Sequence, residues 1–98
     1  MQPTLAEIEV VLRRELPRIE RDFHVSSLAL FGSRARRQER ADSDLDLLVT
    51  FDRVPGLLRF IELEQHLSDL LGLPVDLVLR ESLKPAVRER VLADLVTV

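Results

Sequence analysis

The chain of 98 residues contains no cysteine. Disulfide staples and thiolate metal sites are excluded with it, and the absence suits a reducing compartment. Lysine is nearly missing too: Lys84 is the only one, and arginine carries the rest of the positive charge. Only five prolines and three glycines punctuate the sequence, which argues against a disordered or low-complexity segment. No apolar run approaches the roughly 20 residues that span a bilayer. The N-terminal stretch MQPTLAEIEVVLRRELPRIERD mixes both charge signs, without the basic-then-apolar order of a secretory signal. The expectation is a cytoplasmic protein with no membrane partner.

What is present is the composition of an ordinary globular domain, 46% hydrophobic and 32% charged. The length predicts one domain over residues 1–98, able to bury a core without much margin. Net charge is −3 and the isoelectric point about 5.4. A non-specific nucleic-acid binder is usually basic, so this balance argues against nucleic acid as a partner.

Periodicity predicts the elements. Thr4-Leu5-Ala6-Glu7 reads as a capping box. Leu5, Ile8, Leu12, Leu16, Ile19 and Phe23 then recur at spacings of three and four, one helical stripe. Pro17 falls inside that stripe and predicts a kink or short break. VSSLALF (Val25–Phe31) reads as a strand ending at Gly32, with a short helix over residues 33–38. DLDLLVTF (Asp44–Phe51) is a second strand. Leu57–Leu71 is a second amphipathic helix with Gly72 at its C-terminus. PVDLVL (Pro74–Leu79) is a third strand. A last short helix carries Val87, Val91 and Leu95. This order predicts an α/β (α+β) fold, a small mixed β-sheet with helices packed on one face. The second and third strands flank a helix and should be parallel; the first two are antiparallel or mixed.

The chemistry-bearing residues lie between two of these strands. In LFGSRARRQERADSDLDLLV, Gly32-Ser33 is followed by ten residues, four of them arginine, and then by Asp44-Leu45-Asp46. Strand alternation puts Asp44, Asp46 and Leu48 on one face and Leu45, Leu47 and Val49 on the other. The same alternation sets Asp76 apart from Val75, Leu77 and Leu79. If the second and third strands are neighbours in register, the three aspartates share one sheet face. Clustered carboxylates repel unless a cation sits among them, and hard oxygen donors suit Mg²⁺, with Mn²⁺ as a substitute. Mg²⁺ takes one or two carboxylates, waters and substrate phosphates, which points to a nucleoside triphosphate. Gly32 lets the backbone turn and approach a ligand. Ser33 opens a helix whose free N–H groups favour phosphate. Arg34, Arg36, Arg37 and Arg40 stand near enough for at least one to reach it.

Taken together, Gly32-Ser33, ten residues, Asp44-x-Asp46, with SDLDLLV including Ser43 and PVDLVL with Asp76, resembles the minimal nucleotidyltransferases of the DNA polymerase β-like superfamily. The resemblance covers nearly the whole chain. It implies the nucleotidyltransferase fold and two-metal transfer of AMP from ATP. Asp44 and Asp46 would ligate both Mg²⁺ ions. Asp76 would ligate the one that activates the acceptor hydroxyl and help take its proton. Gly32 and Ser33 would hold the β- and γ-phosphates, with Arg34, Arg36 and Ser43 around the nucleotide. It further implies a HEPN-type RNase toxin as partner, with a toxin tyrosine as acceptor and this chain as antitoxin. Arg37 departs from the family, which often has a small residue there. Two other readings stay open. One is an inert module that neutralises its partner by contact. The other is nucleotidyl transfer to a nucleic-acid 3′ end or a small molecule. The resemblance leaves open a homodimer or a hetero-oligomer with the toxin.

Simpler roles compete for some of these residues. Asp42-x-Asp44-x-Asp46 opens like a calcium loop, but Leu47 and Arg53 occupy the places that need Gly and Glu. Ser33 fits a helix N-cap as well as a phosphate contact. His24 and His66 lack a partner at telling spacing and read as surface or boundary residues.

Overall fold

Thr4 starts the first helix as its sequence predicts. In the computed structural model, which describes residues 3–32 and 44–98, the Glu7 N–H donates to Thr4 Oγ1 at 3.2 Å. The Thr4 hydroxyl donates in turn to the Glu7 carboxylate at 3.1 Å. Helix α1 spans Leu5–Phe23. Ile8, Leu12 and Ile19 are fully buried along its stripe, and Leu5, Leu16 and Phe23 pack partly buried beside them. Pro17 does not break the helix. Pro17 and Arg13, whose carbonyl loses its intrahelical donor there, are both exposed, so water can replace that bond. His24 ends the helix with φ 58°, and its carbonyl accepts from the Asp52 N–H at 2.8 Å.

Four strands form one mixed sheet in the order β3-β2-β1-β4, with β1 Val25–Phe31, β2 Leu45–Phe51, β3 Val75–Leu79 and β4 Val96–Thr97. β1 and β2 are antiparallel, with an irregularity between Val25 and Ser27. There the Ser26 hydroxyl reaches Thr50 Oγ1 at 2.8 Å. β2 and β3 are parallel, joined through helix α2 (Leu57–Leu71), as the flanking of that helix predicts. Gly72 caps α2 with φ 71°, its N–H donating to the Ser68 carbonyl at 2.9 Å.

Alternation sends Leu45, Leu47 and Val49 of β2 and Val75 and Leu77 of β3 into one core with Leu63, Leu67 and Leu71 of α2 and the α1 stripe. Each fully buried leucine contributes about 1.5–3 kcal/mol of transfer free energy. Ala29 and Leu48, register partners on the opposite face, are also buried and stand outside that cluster, as does Val91.

The C-terminus departs from its expectation. A short 3₁₀ turn, Arg80–Ser82, precedes helix α3, Pro85–Ala93. That helix ends before Leu95, so the Val87–Val91–Leu95 spacing is not one helical face; Val87 is 45% exposed. The chain instead adds β4 to the free edge of β1, with Leu30 opposite Val96 and Val98 N–H donating to Leu28 O at 3.1 Å. An open edge with unpaired backbone groups outweighs a weak helical spacing, and β-branched Val96, Thr97 and Val98 suit a strand. The helix expected over residues 33–38 lies outside the described residues.

Candidate active site

The end of β1 lies beside the start of β2. Phe31, the last residue of β1, stands opposite Asp46. Gly32 follows with φ +79°, a conformation that side-chain-bearing residues rarely adopt. A Cβ built on Gly32 would overlap the Asp46 carboxylate, with Asp46 Cγ only 3.0 Å away. Glycine is required here twice over, by its φ and by this approach. The backbone therefore lies directly against the half-buried carboxylate of Asp46.

Asp76 reaches the same place from the other side. In the parallel β2–β3 ladder Asp46 pairs with Asp76, flanked by Leu45 with Val75 and Leu47 with Leu77. Neighbouring strands lie about 4.8 Å apart, so the two aspartates occupy adjacent positions on one sheet face. The leucines and valines around them point the other way into the core, which is what fixes that face. Asp76 itself is exposed.

Asp44 lies one residue before β2 rather than inside it, and is exposed. Its neighbour Leu45 donates to the Pro74 carbonyl at 2.9 Å, tying the entry of β2 to the entry of β3. Two of the three aspartates expected on one sheet face, Asp46 and Asp76, stand in register, whereas Asp44 lies just outside the strand. Among the described residues, no three histidine, aspartate or glutamate side chains form a ready metal cage. Two aligned aspartates suit the donor set of Mg²⁺, which leaves most positions to water and phosphate. Ser33, Arg34, Arg36, Arg37, Arg40 and Ser43 lie outside the described residues.

Sequence reasoning missed two polar residues of α2 that touch β3. The Leu77 N–H donates to Glu64 Oε2 at 2.9 Å, and the Val75 N–H donates to Ser68 Oγ at 3.1 Å. The available signal was their spacing of four, which sets Glu64 and Ser68 on one seam beside the Leu63–Leu67–Leu71 stripe.

The two histidines stand apart from this site. His24 is exposed at the end of α1. His66 packs against Phe23, ring centroids 5.9 Å apart, in a groove of about 320 Å³ between α1 and α2. Arg59 lines that groove, lying 4.2 Å over the Phe23 ring and donating to the Asp22 carbonyl at 2.8 Å. No helix of the described residues is long and apolar enough to cross a membrane.

Comparison with known proteins identifies the family. Residues 11–98 match the model of the nucleotidyltransferase domain family. The chain is 45% identical over 95 residues to the protein adenylyltransferase MntA of Thermococcus cleftensis, covering 97% of this chain and 96% of that one. A solved chain assigned as a minimal nucleotidyltransferase superposes with a TM-score of 0.73 at 38% identity, covering 95% of this chain and 90% of the other. A chain from the complex of tri-AMPylated Shewanella oneidensis HEPN toxin with its MNT antitoxin superposes with a TM-score of 0.66. At 22% identity, over 92% of this chain and 70% of that one, the likeness is one of fold.

Proposed function

Since the chain belongs to the nucleotidyltransferase domain family, we propose that it is a protein adenylyltransferase acting as an antitoxin. It moves AMP from ATP to a tyrosine hydroxyl of a HEPN-type RNase toxin. The observation that carries the reading is the register of Asp46 with Asp76 beside the backbone of Gly32. The name of the 45% identical relative supports transfer to protein. The fold shared with an MNT antitoxin bound to an AMPylated HEPN toxin supports the partner class.

In this reading the acceptor oxygen forms a bond to the α-phosphorus while the bond from that phosphorus to the α–β bridging oxygen breaks. Pyrophosphate leaves, and the hydroxyl proton passes to the Asp76 carboxylate. Asp44, Asp46 and Asp76 would hold Mg²⁺, which when bound neutralises charge on the attacking and leaving oxygens. Gly32 would bring its backbone close to the phosphate tail with no side chain in the way, and Ser33 would add an N–H and a hydroxyl. Arg34, Arg36 and Ser43 complete the nucleotide's surroundings.

The test is the intact mass of a HEPN-type toxin encoded beside this chain, produced with the wild type and with Asp46→Asn. The reading expects the toxin to gain the mass of one or more AMP groups only with the wild type. Toxin that is protected equally by the variant, with no mass change, overturns it in favour of neutralisation by contact.

A further inference from the structure

We propose that Glu64 and Ser68 of α2 are positioning residues for the Asp76 carboxylate, an inference that rests on the function proposed above. Among the described residues β3 is an edge strand: β2 lies on one side and no described strand on the other. In a parallel strand, successive backbone N–H groups point to opposite sides. The N–H groups of Val75 and Leu77 point away from β2, and an edge usually leaves such groups to water. Here both are taken by side chains from the helix that precedes the strand. Leu77 N–H donates to Glu64 Oε2 at 2.9 Å, and Val75 N–H to Ser68 Oγ at 3.1 Å.

Asp76 is the residue between those two. Its strand is held by the β2 ladder on one side, in register with Asp46, and by α2 on the other. Ser68 is fixed in turn, since its hydroxyl donates to the Glu64 carbonyl at 3.0 Å. The clamp sets where the Asp76 carboxylate stands along the strand and against Asp46. A slip of one residue would turn it to the other face, and fraying of the edge would loosen its position against Asp46. Satisfying an edge for stability alone would hold the strand without affecting cation affinity, and the two roles separate on that measurement.

The probe is Mn²⁺, titrated into the protein while its paramagnetic broadening of the Asp46 and Asp76 amide signals is followed by NMR. Amide hydrogen exchange at Val75 and Leu77 is read on the same samples. Supporting groups behind metal ligands are worth 10–100-fold in metal affinity elsewhere, and a clamp acting through the backbone belongs at the low end, about tenfold. Glu64→Leu should expose the Leu77 amide to exchange and weaken Mn²⁺ binding by about that factor. Glu64→Gln keeps an acceptor oxygen and should restore both. Ser68→Ala should expose Val75 and weaken Mn²⁺ in the same sense, and it decides the matter should Glu64→Leu unfold. Faster exchange at Leu77 or Val75 with unchanged Mn²⁺ affinity overturns the inference. So does a loss in Glu64→Gln equal to that in Glu64→Leu, which would assign the effect to the carboxylate's charge. Asp76→Asn is the control on the underlying reading. If it leaves Mn²⁺ binding unchanged, the site assignment itself fails, whereas weakening by Asp76→Asn alone removes only the positioning role.

Discussion

The carboxylate of Asp46 occupies the space that a side chain on Gly32 would need. Two strand ends are thereby locked to one another, the close of β1 and the opening of β2. Gly32→Ala must either push Asp46 aside or unwind a φ of +79°. The strained backbone should cost about 1–3 kcal/mol of stability. Nucleotidyl transfer should fall much further than the folded fraction, by about a hundredfold, because the displaced group is a proposed ligand. Thermal melting beside initial transfer rates checks both.

Asp76→Asn should separate stability from chemistry in the opposite direction. Asp76 is exposed and stands beside Asp46, two like charges on adjacent strands. Removing one relieves a repulsion of about 0.2–1 kcal/mol, so the melting temperature should hold or rise slightly. Transfer should drop about a thousandfold, the equivalent of about 4 kcal/mol of lost transition-state stabilisation. A melting curve and a transfer assay on the same preparation read the two effects.

Leu67→Ala should do the reverse. Leu67 is fully buried between α2 and the sheet, away from the aspartate face. Its truncation should cost about 2–5 kcal/mol. Transfer per folded molecule should remain near that of the wild type, measurable well below the lowered melting temperature.

Thr4→Ala removes the hydroxyl that caps α1. The loss should be about 1 kcal/mol. For a domain of this size that lowers the melting temperature by about 4–8 °C, with no change in transfer. Thr4→Ser should recover most of it, since the capping oxygen is kept.

Much of the scaffold can be read from the chain because its signals are local and repeated. The α1 stripe, the alternation in LDLLVTF and the Gly72 cap each declare themselves within a few residues. The parallel pairing that aligns Asp46 with Asp76 follows from a helix lying between two apolar strands. What escaped reading is long-range. β4 is two residues long, and its β-branched residues become a strand only beside the open edge of β1. Pro17 signals a break, yet its place on the exposed side of α1 makes it tolerable. Glu64 and Ser68 look like ordinary polar helix residues until β3 is placed beside them. The close approach of Gly32 to Asp46 likewise depends on how β1 pairs with β2.

The most direct measurement of the proposed activity uses ATP labelled on its α-phosphorus, with Mg²⁺, in a lysate of the source cells. The wild type is run beside Asp76→Asn, and the product is treated with protease or nuclease. The structure-based reading predicts protease-sensitive label on one small protein, absent with the variant. Label on nucleic acid, or label that persists undiminished with Asp76→Asn, would contradict it.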